Sequence, residues 1–122
     1  MLCFPQEVLG IDIYVVITDT LLVCDCMASV LFDPGSTFSY VSSSFATCFD
    51  LHCDFLDMPI HIYTLVGESV IVEKVYRSCL LTFVGSNTYV DLVILEMVDF
   101  DVILGMTGFL RILRSWIVML KL

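Results

Sequence analysis

Asp33 stands where a carboxylate can do chemistry. Three apolar residues, Val30-Leu31-Phe32, lead into it, and Pro34-Gly35-Ser36-Thr37 follow. An apolar strand of this kind delivers its last side chain to the rim of a core. Partial desolvation there makes a carboxyl group sensitive to its neighbours. Gly35 is expected to take a backbone conformation closed to other residues and to admit another chain at close range. On its own the segment reads more readily as a solvated turn, because Asp-Pro-Gly is ordinary turn chemistry. A second segment, Asp101-Val102-Ile103-Leu104-Gly105, is another short apolar stretch ending in glycine.

Other chemistries find less support. The six cysteines are Cys3, Cys24, Cys26, Cys48, Cys53 and Cys79, and none forms a C-x-x-C pair. Cys24 and Cys26 are expected on one face of a strand. With His52 and His61 nearby a zinc site can be drawn, but the spacings do not match the usual tetrahedral sets, and no metal is expected. The cysteines read as reduced, half-buried thiols acting as small hydrophobes. His52 and His61 have no evident Ser or Cys partner and read as surface or interface residues. Gly-x-Ser-x-Gly is absent, as is a glycine loop for phosphate. Asp99 and Asp101 could suggest a metal pair but read as solvated strand-edge acids. No cofactor is expected.

The elements that must position Asp33 are legible in the composition. The chain has 122 residues, 59% of them hydrophobic and 16% charged. That suits one domain with a single core and excludes a disordered tail. The mean hydropathy of +0.98 raises the question of a membrane span. A spanning helix needs about 18 or more consecutive apolar residues, whereas runs such as Ile13–Ile17 are short and interrupted by acids. The net charge is -9, so neither nucleic acid nor an anionic membrane surface is an expected partner of this domain. No basic, apolar leader opens the chain, and an intracellular, cytoplasmic location is expected.

Polar breaks recur every 8–12 residues among β-branched and aromatic runs, the spacing of an all-β barrel or sandwich. Strands are expected at Val8–Ile17, Leu21–Phe32, Phe38–Val41, Pro59–Thr64, Ser69–Tyr76, Cys79–Val84, Thr88–Leu95 and Phe100–Leu104. Val66-Gly67-Glu68 and Gly85-Ser86-Asn87 read as hairpin turns. Ser42-Ser43-Ser44 can cap a short helix over Ser44–Asp50.

The order of these motifs resembles the retropepsin-like aspartic proteases, and in particular the protease domains of plant Ty3/gypsy-type retrotransposon polyproteins. Ala28–Ser42, Val66-Gly67-Glu68-Ser69-Val70 and Val98–Met106 carry the likeness, which spans residues 8–107. It implies a small closed β-barrel of the acid-protease type, with one or two short helices and residues 1–122 forming a single domain. It implies that Asp33 is the catalytic residue, in an active-site turn with Pro34, Gly35 and Ser36. Val66, Gly67 and Glu68 would form a flap, and Ile103, Leu104 and Gly105 a supporting strand. The chain holds one Asp-x-Gly, so the likeness implies a homodimer acting on an extended peptide or polyprotein. The expected activity is that of an aspartic-type endopeptidase. The alternative is a catalytically silent barrel remnant that only dimerises or binds peptide.

Two departures stand out. Most of the family carries Ser or Thr after the Asp, and Pro34 offers neither a hydroxyl nor a backbone N–H. The tail, residues 108–122, lacks the family's closing Ala-Ile-Leu-Asp-Cys strand. Codons for that segment read one nucleotide out of frame can yield Arg-Ser-Trp-Ile-Val, as at Arg114–Val118. All 14 acids precede residue 102, while Arg111, Arg114 and Lys121 fall in the last twelve residues. The tail is therefore read as divergent and frameshifted.

Overall fold

The computed structural model describes residues 6–9, 17–33, 35–64, 69–83 and 86–120. In chain order the elements are β1 (Gln6–Leu9), β2 (Ile17–Val23), β3 (Cys26–Phe32), β4 (Tyr40–Ser42), a 3-10 turn η1 (Phe45–Cys48), β5 (Cys53–Thr64), β6 (Ser69–Phe83), β7 (Ser86–Leu95), β8 (Val102–Leu104) and α1 (Met106–Leu120). The strands run β6-β2-β3-β8-β4-β7, and a direct β6–β7 pairing closes them into a six-stranded barrel. β5 and β1 continue the sheet outward from β6. Closure removes most of the open edges that a small sheet would otherwise expose.

The apolar runs explain the layering. A strand with core on both faces cannot alternate apolar with polar residues; it must be apolar throughout. β8 is such a strand. Val102 and Leu104 pack inside the barrel with Val30, Val41, Leu81 and Leu92. Ile103, between them, packs in a second cluster with Leu31, Tyr40, Ile60 and Ile62. Val30-Leu31 on β3 divides between the same two clusters. Complete burial of each such side chain contributes about 1.5–3 kcal/mol. Among the described residues, no helix is long and apolar enough to cross a membrane.

Several expected boundaries move. Thr18-Asp19-Thr20, which separate the first two expected strands, lie inside β2, and the long strand expected over Leu21–Phe32 is a hairpin that reverses at Cys24-Asp25. Cys24 and Asp25 have φ of 50° and 64°, the pair of positive values that a two-residue hairpin turn needs to match strand twist. Cys24 therefore lies in the turn and not on a strand face with Cys26. Residues 10–16 of the expected first strand lie outside the described residues. The strands expected at Ser69–Tyr76 and Cys79–Val84 run together as one strand, β6, up to Phe83, and Val84 lies outside the described residues. The break between them is a bulge, where Ser78 has φ 55° and its N–H donates to Asp91 Oδ1 at 2.9 Å. The extra residues bend the strand without ending it.

The expected helix at Ser44–Asp50 is one short 3-10 turn, and Ser44 does not cap it. Ser42 Oγ instead accepts the N–H of Phe45 at 3.1 Å. Asp101, half-buried just before β8, accepts the Ser29 N–H on its Oδ2 at 2.8 Å.

Cys79 is fully buried inside the barrel. Burial, followed by the neighbouring Cys24 thiol, pushes its thiol from 9.0 up to about 12. The folded chain thus keeps a proton that the unfolded chain loses above 9.0, and stability falls with rising pH across that window. Below 9.0 the contribution is complete; between 9.0 and about 12 it is lost. Urea unfolding across this range should show the decline, and Cys79→Ala should flatten it. An unchanged slope in the variant would remove the thiol as the cause.

Candidate active site

The site is built at the ends of three adjacent strands. β3 and β8 run parallel, with Val30 opposite Val102 and Phe32 opposite Leu104. The Asp33 N–H extends this ladder by donating to the Leu104 carbonyl at 2.9 Å. β4 then returns on the other side of β8, antiparallel to it, with Tyr40 opposite Ile103. The chain from Asp33 to Tyr40 therefore crosses over the end of β8.

That crossing is tight. A Cβ on Gly105 would lie 2.1 Å from the Phe38 carbonyl oxygen and 2.6 Å from that of Ser36. Both obstacles are backbone and cannot turn aside. Helix α1 starts immediately beyond, and its first N–H groups lack partners within the helix. Met106 N–H donates to the Ser36 carbonyl at 2.7 Å and Thr107 N–H to the Thr37 carbonyl at 3.0 Å. Ser39, 1% exposed, accepts the Gly105 N–H on its Oγ at 3.1 Å, and that hydroxyl lies 3.2 Å from Thr107 Oγ1. The active turn and the helix start thus hold each other.

Asp33 is 7% exposed. Its Oδ1 accepts the Gly35 N–H at 3.0 Å, and its Oδ2 is buried with no hydrogen-bond partner among the described residues. Gly35 does not take a left-handed backbone; its contribution is steric, since a Cβ there would sit 3.3 Å from Asp33 Oδ1. Ser36 is fully buried, and its hydroxyl donates to the Phe38 carbonyl at 2.8 Å. Pro34 and the expected flap Val66, Gly67 and Glu68 lie outside the described residues. The strands flanking that hairpin are paired up to Tyr63 and Ser69. Ile103, Leu104 and Gly105 lie beside the turn as described.

Sequence reasoning passed over Ser39, Thr107 and Gly108. Gly108 sits inside a helix, where glycine costs about 1 kcal/mol. A Cβ there would meet Leu104 Cδ2 at 2.7 Å and Ser39 Oγ at 2.9 Å. A glycine in an otherwise apolar helical stretch was the signal available. His61 meets Tyr63 instead of a nucleophile, with Tyr63 Oη 3.2 Å from its Nδ1. Among the described residues no group of three or more His, Cys, Asp or Glu could hold a metal ion.

A closed six-stranded barrel with an aspartate at the end of an inner strand, braced by a glycine-ended partner strand, is the architecture of an aspartic protease domain of the retropepsin type. The family model for retroviral aspartyl protease matches residues 12–119, and the chain belongs to that family. Among solved structures it is similar to EIAV protease complexed with the inhibitor HBY-793. The identity is 16% and the TM-score 0.62, over 88% of this chain and 96% of that one. No curated protein matches the chain.

The two glycines of the turn should respond differently to a methyl group. Gly105→Ala should destabilise by about 3 kcal/mol or more, because overpacking against fixed backbone finds no rotamer to relieve it. Gly35→Ala should cost less than about 1 kcal/mol, since only a side-chain oxygen has to yield. Urea unfolding of both variants ranks them, and equal losses would mean that the crossing at Gly105 is looser than described.

Proposed function

We propose that this chain is an aspartic-type endopeptidase domain, derived from a retrotransposon polyprotein and active as a homodimer. The supporting observation is Asp33 itself. Its carboxylate is held by one oxygen on Gly35 N–H, and the other oxygen has no partner among the described residues. The 122 residues hold a single Asp-x-Gly, and in this reading a second copy supplies the second carboxylate.

Two carboxylates brought close together cannot both ionise readily and share a proton. One acts as general base on a water that attacks the peptide carbonyl. The other, protonated, donates a hydrogen bond to the carbonyl oxygen. No covalent intermediate forms. The apparent pKa values belong to the pair and not to either chain. The hairpin at Val66-Gly67-Glu68 closes over an extended peptide and excludes water. Ile103, Leu104 and Gly105 support the turn from beneath. The likeness of Ala28–Ser42 and Val98–Met106 to plant Ty3/gypsy-type domains supports the retrotransposon origin.

One observation favours a second reading. Pro34 lacks the hydroxyl that most of the family places after the Asp, and with it one bond that would stiffen the turn across a dimer. A silent barrel that dimerises or binds peptide would keep the fold and lose the chemistry. The frameshift reading of residues 108–122 remains separate, and translating the alternate frame of the locus tests it. Absence of an Asp-Cys strand there would dismiss it.

Cleavage of an extended peptide should appear between about pH 4 and 6, where a carboxylate pair holds one proton. It should be blocked by pepstatin-type inhibitors. Asp33→Asn should lower kcat/KM by about 100- to 10,000-fold while sedimentation still shows a dimer. Undiminished cleavage by that variant would exclude Asp33 as the catalytic group. A stable wild-type dimer without cleavage would favour the silent barrel.

A further inference from the structure

Five cysteines are described and all are free thiols. They are not equivalent. Cys26 Sγ donates to the Cys48 carbonyl oxygen at 3.6 Å, which sets the two residues side by side. Cys26 is half-buried and Cys48 is exposed. Cys24 and Cys79 form a second neighbouring pair, but Cys79 is 0% exposed, and no soluble oxidant reaches it in the folded chain. Cys53 bonds to the carbonyl of Asp54, its own neighbour. Among the described residues, Cys26 and Cys48 are the pair that combines contact with an exposed member.

We propose that Cys26 and Cys48 are a redox modification site, joined as a disulfide by exchange with a small disulfide of the glutathione type. The exposed Cys48 thiolate attacks one sulfur of oxidised glutathione. A mixed disulfide forms and one glutathione thiolate leaves. The Cys26 thiolate then attacks Cys48 Sγ and expels the second glutathione. Two protein thiols are oxidised, one disulfide of the small molecule is reduced, and the two thiol protons end on the two glutathiones.

The placement gives the bond a structural consequence. Cys26 opens β3, which ends beside Asp33, and Cys48 closes η1, which follows β4. β3 and β4 are the two strands on either side of β8. A bond across the 22-residue separation would staple those flanks together and restrict the unfolded chain. The site stands whether or not the barrel cleaves peptides.

The test incubates the full chain with oxidised glutathione, followed by alkylation and non-reducing peptide mapping. The expected product is a Cys26–Cys48 crosslinked peptide. It should be accompanied by a rise of several degrees in the melting midpoint that dithiothreitol reverses. Cys26→Ser should trap a lasting glutathione adduct on Cys48. Cys48→Ser, a change at an exposed position that leaves the core intact, should yield neither crosslink nor adduct on Cys26. Crosslinking of Cys48 to Cys53, or a wild-type chain carrying only glutathione on Cys48, would overturn the assignment. So would an unmodified chain.

Discussion

The site depends on how closely two stretches of backbone cross at Gly105. The turn that follows Asp33 lays the carbonyls of Ser36 and Phe38 against the Gly105 α-carbon, at distances where only hydrogen fits. The carbonyl of Ser36 also accepts from Met106 N–H, and Gly105 N–H donates to Ser39 Oγ. Turn, strand and helix start therefore share one set of bonds. The crossing satisfies backbone groups that a buried turn and a helix end would otherwise leave orphaned, each at a cost of about 1–3 kcal/mol. A loop carrying Asp33 without this brace would hold the carboxylate only through its own flexible neighbours.

The same crossing explains which parts of the molecule were legible from residues alone. Val30-Leu31-Phe32 and Val102-Ile103-Leu104 are continuous apolar runs because each strand faces two core clusters. Such runs, each followed closely by a glycine, stand out in any sequence. The barrel class was readable for that reason. The hairpin at Cys24-Asp25 was not. It carries neither Asn-Gly nor Asp-Gly, and its flanks, Leu21–Val23 and Cys26–Phe32, join into one apolar run without it. The bulge at Ser78 was hidden differently. Its satisfying partner, Asp91 Oδ1, comes from the facing strand β7, and no local reading of Arg77-Ser78 contains that acceptor.

The end of the chain shows a related limit. Composition marks residues 108–122 as unlike what precedes them, and the basic shift there is real. Yet the family match continues to residue 119, and α1 is bound into the site at its first turn. Ile112 is buried against the barrel interior, and Gly108 lies against Ser39 and Leu104. Charge pattern and packing report on different things. Exposed residues such as Arg111 and Arg114 set the former, while Thr107, Gly108 and Ile112 set the latter. A tail can depart from its relatives in composition and still supply the contacts that a turn requires.

What remains is why Asp33 should be buried with one oxygen unpartnered among the described residues. A buried carboxylate oxygen without a donor is costly. Ser36 has one hydroxyl proton, and it goes to the Phe38 carbonyl. Ser39 Oγ is held between Gly105 N–H and Thr107 Oγ1. The Gly35 N–H donates to the carboxylate at Oδ1. An oxygen without a partner among the described residues is the feature on which the proposed function rests, in which a second carboxylate and a water would bond to it.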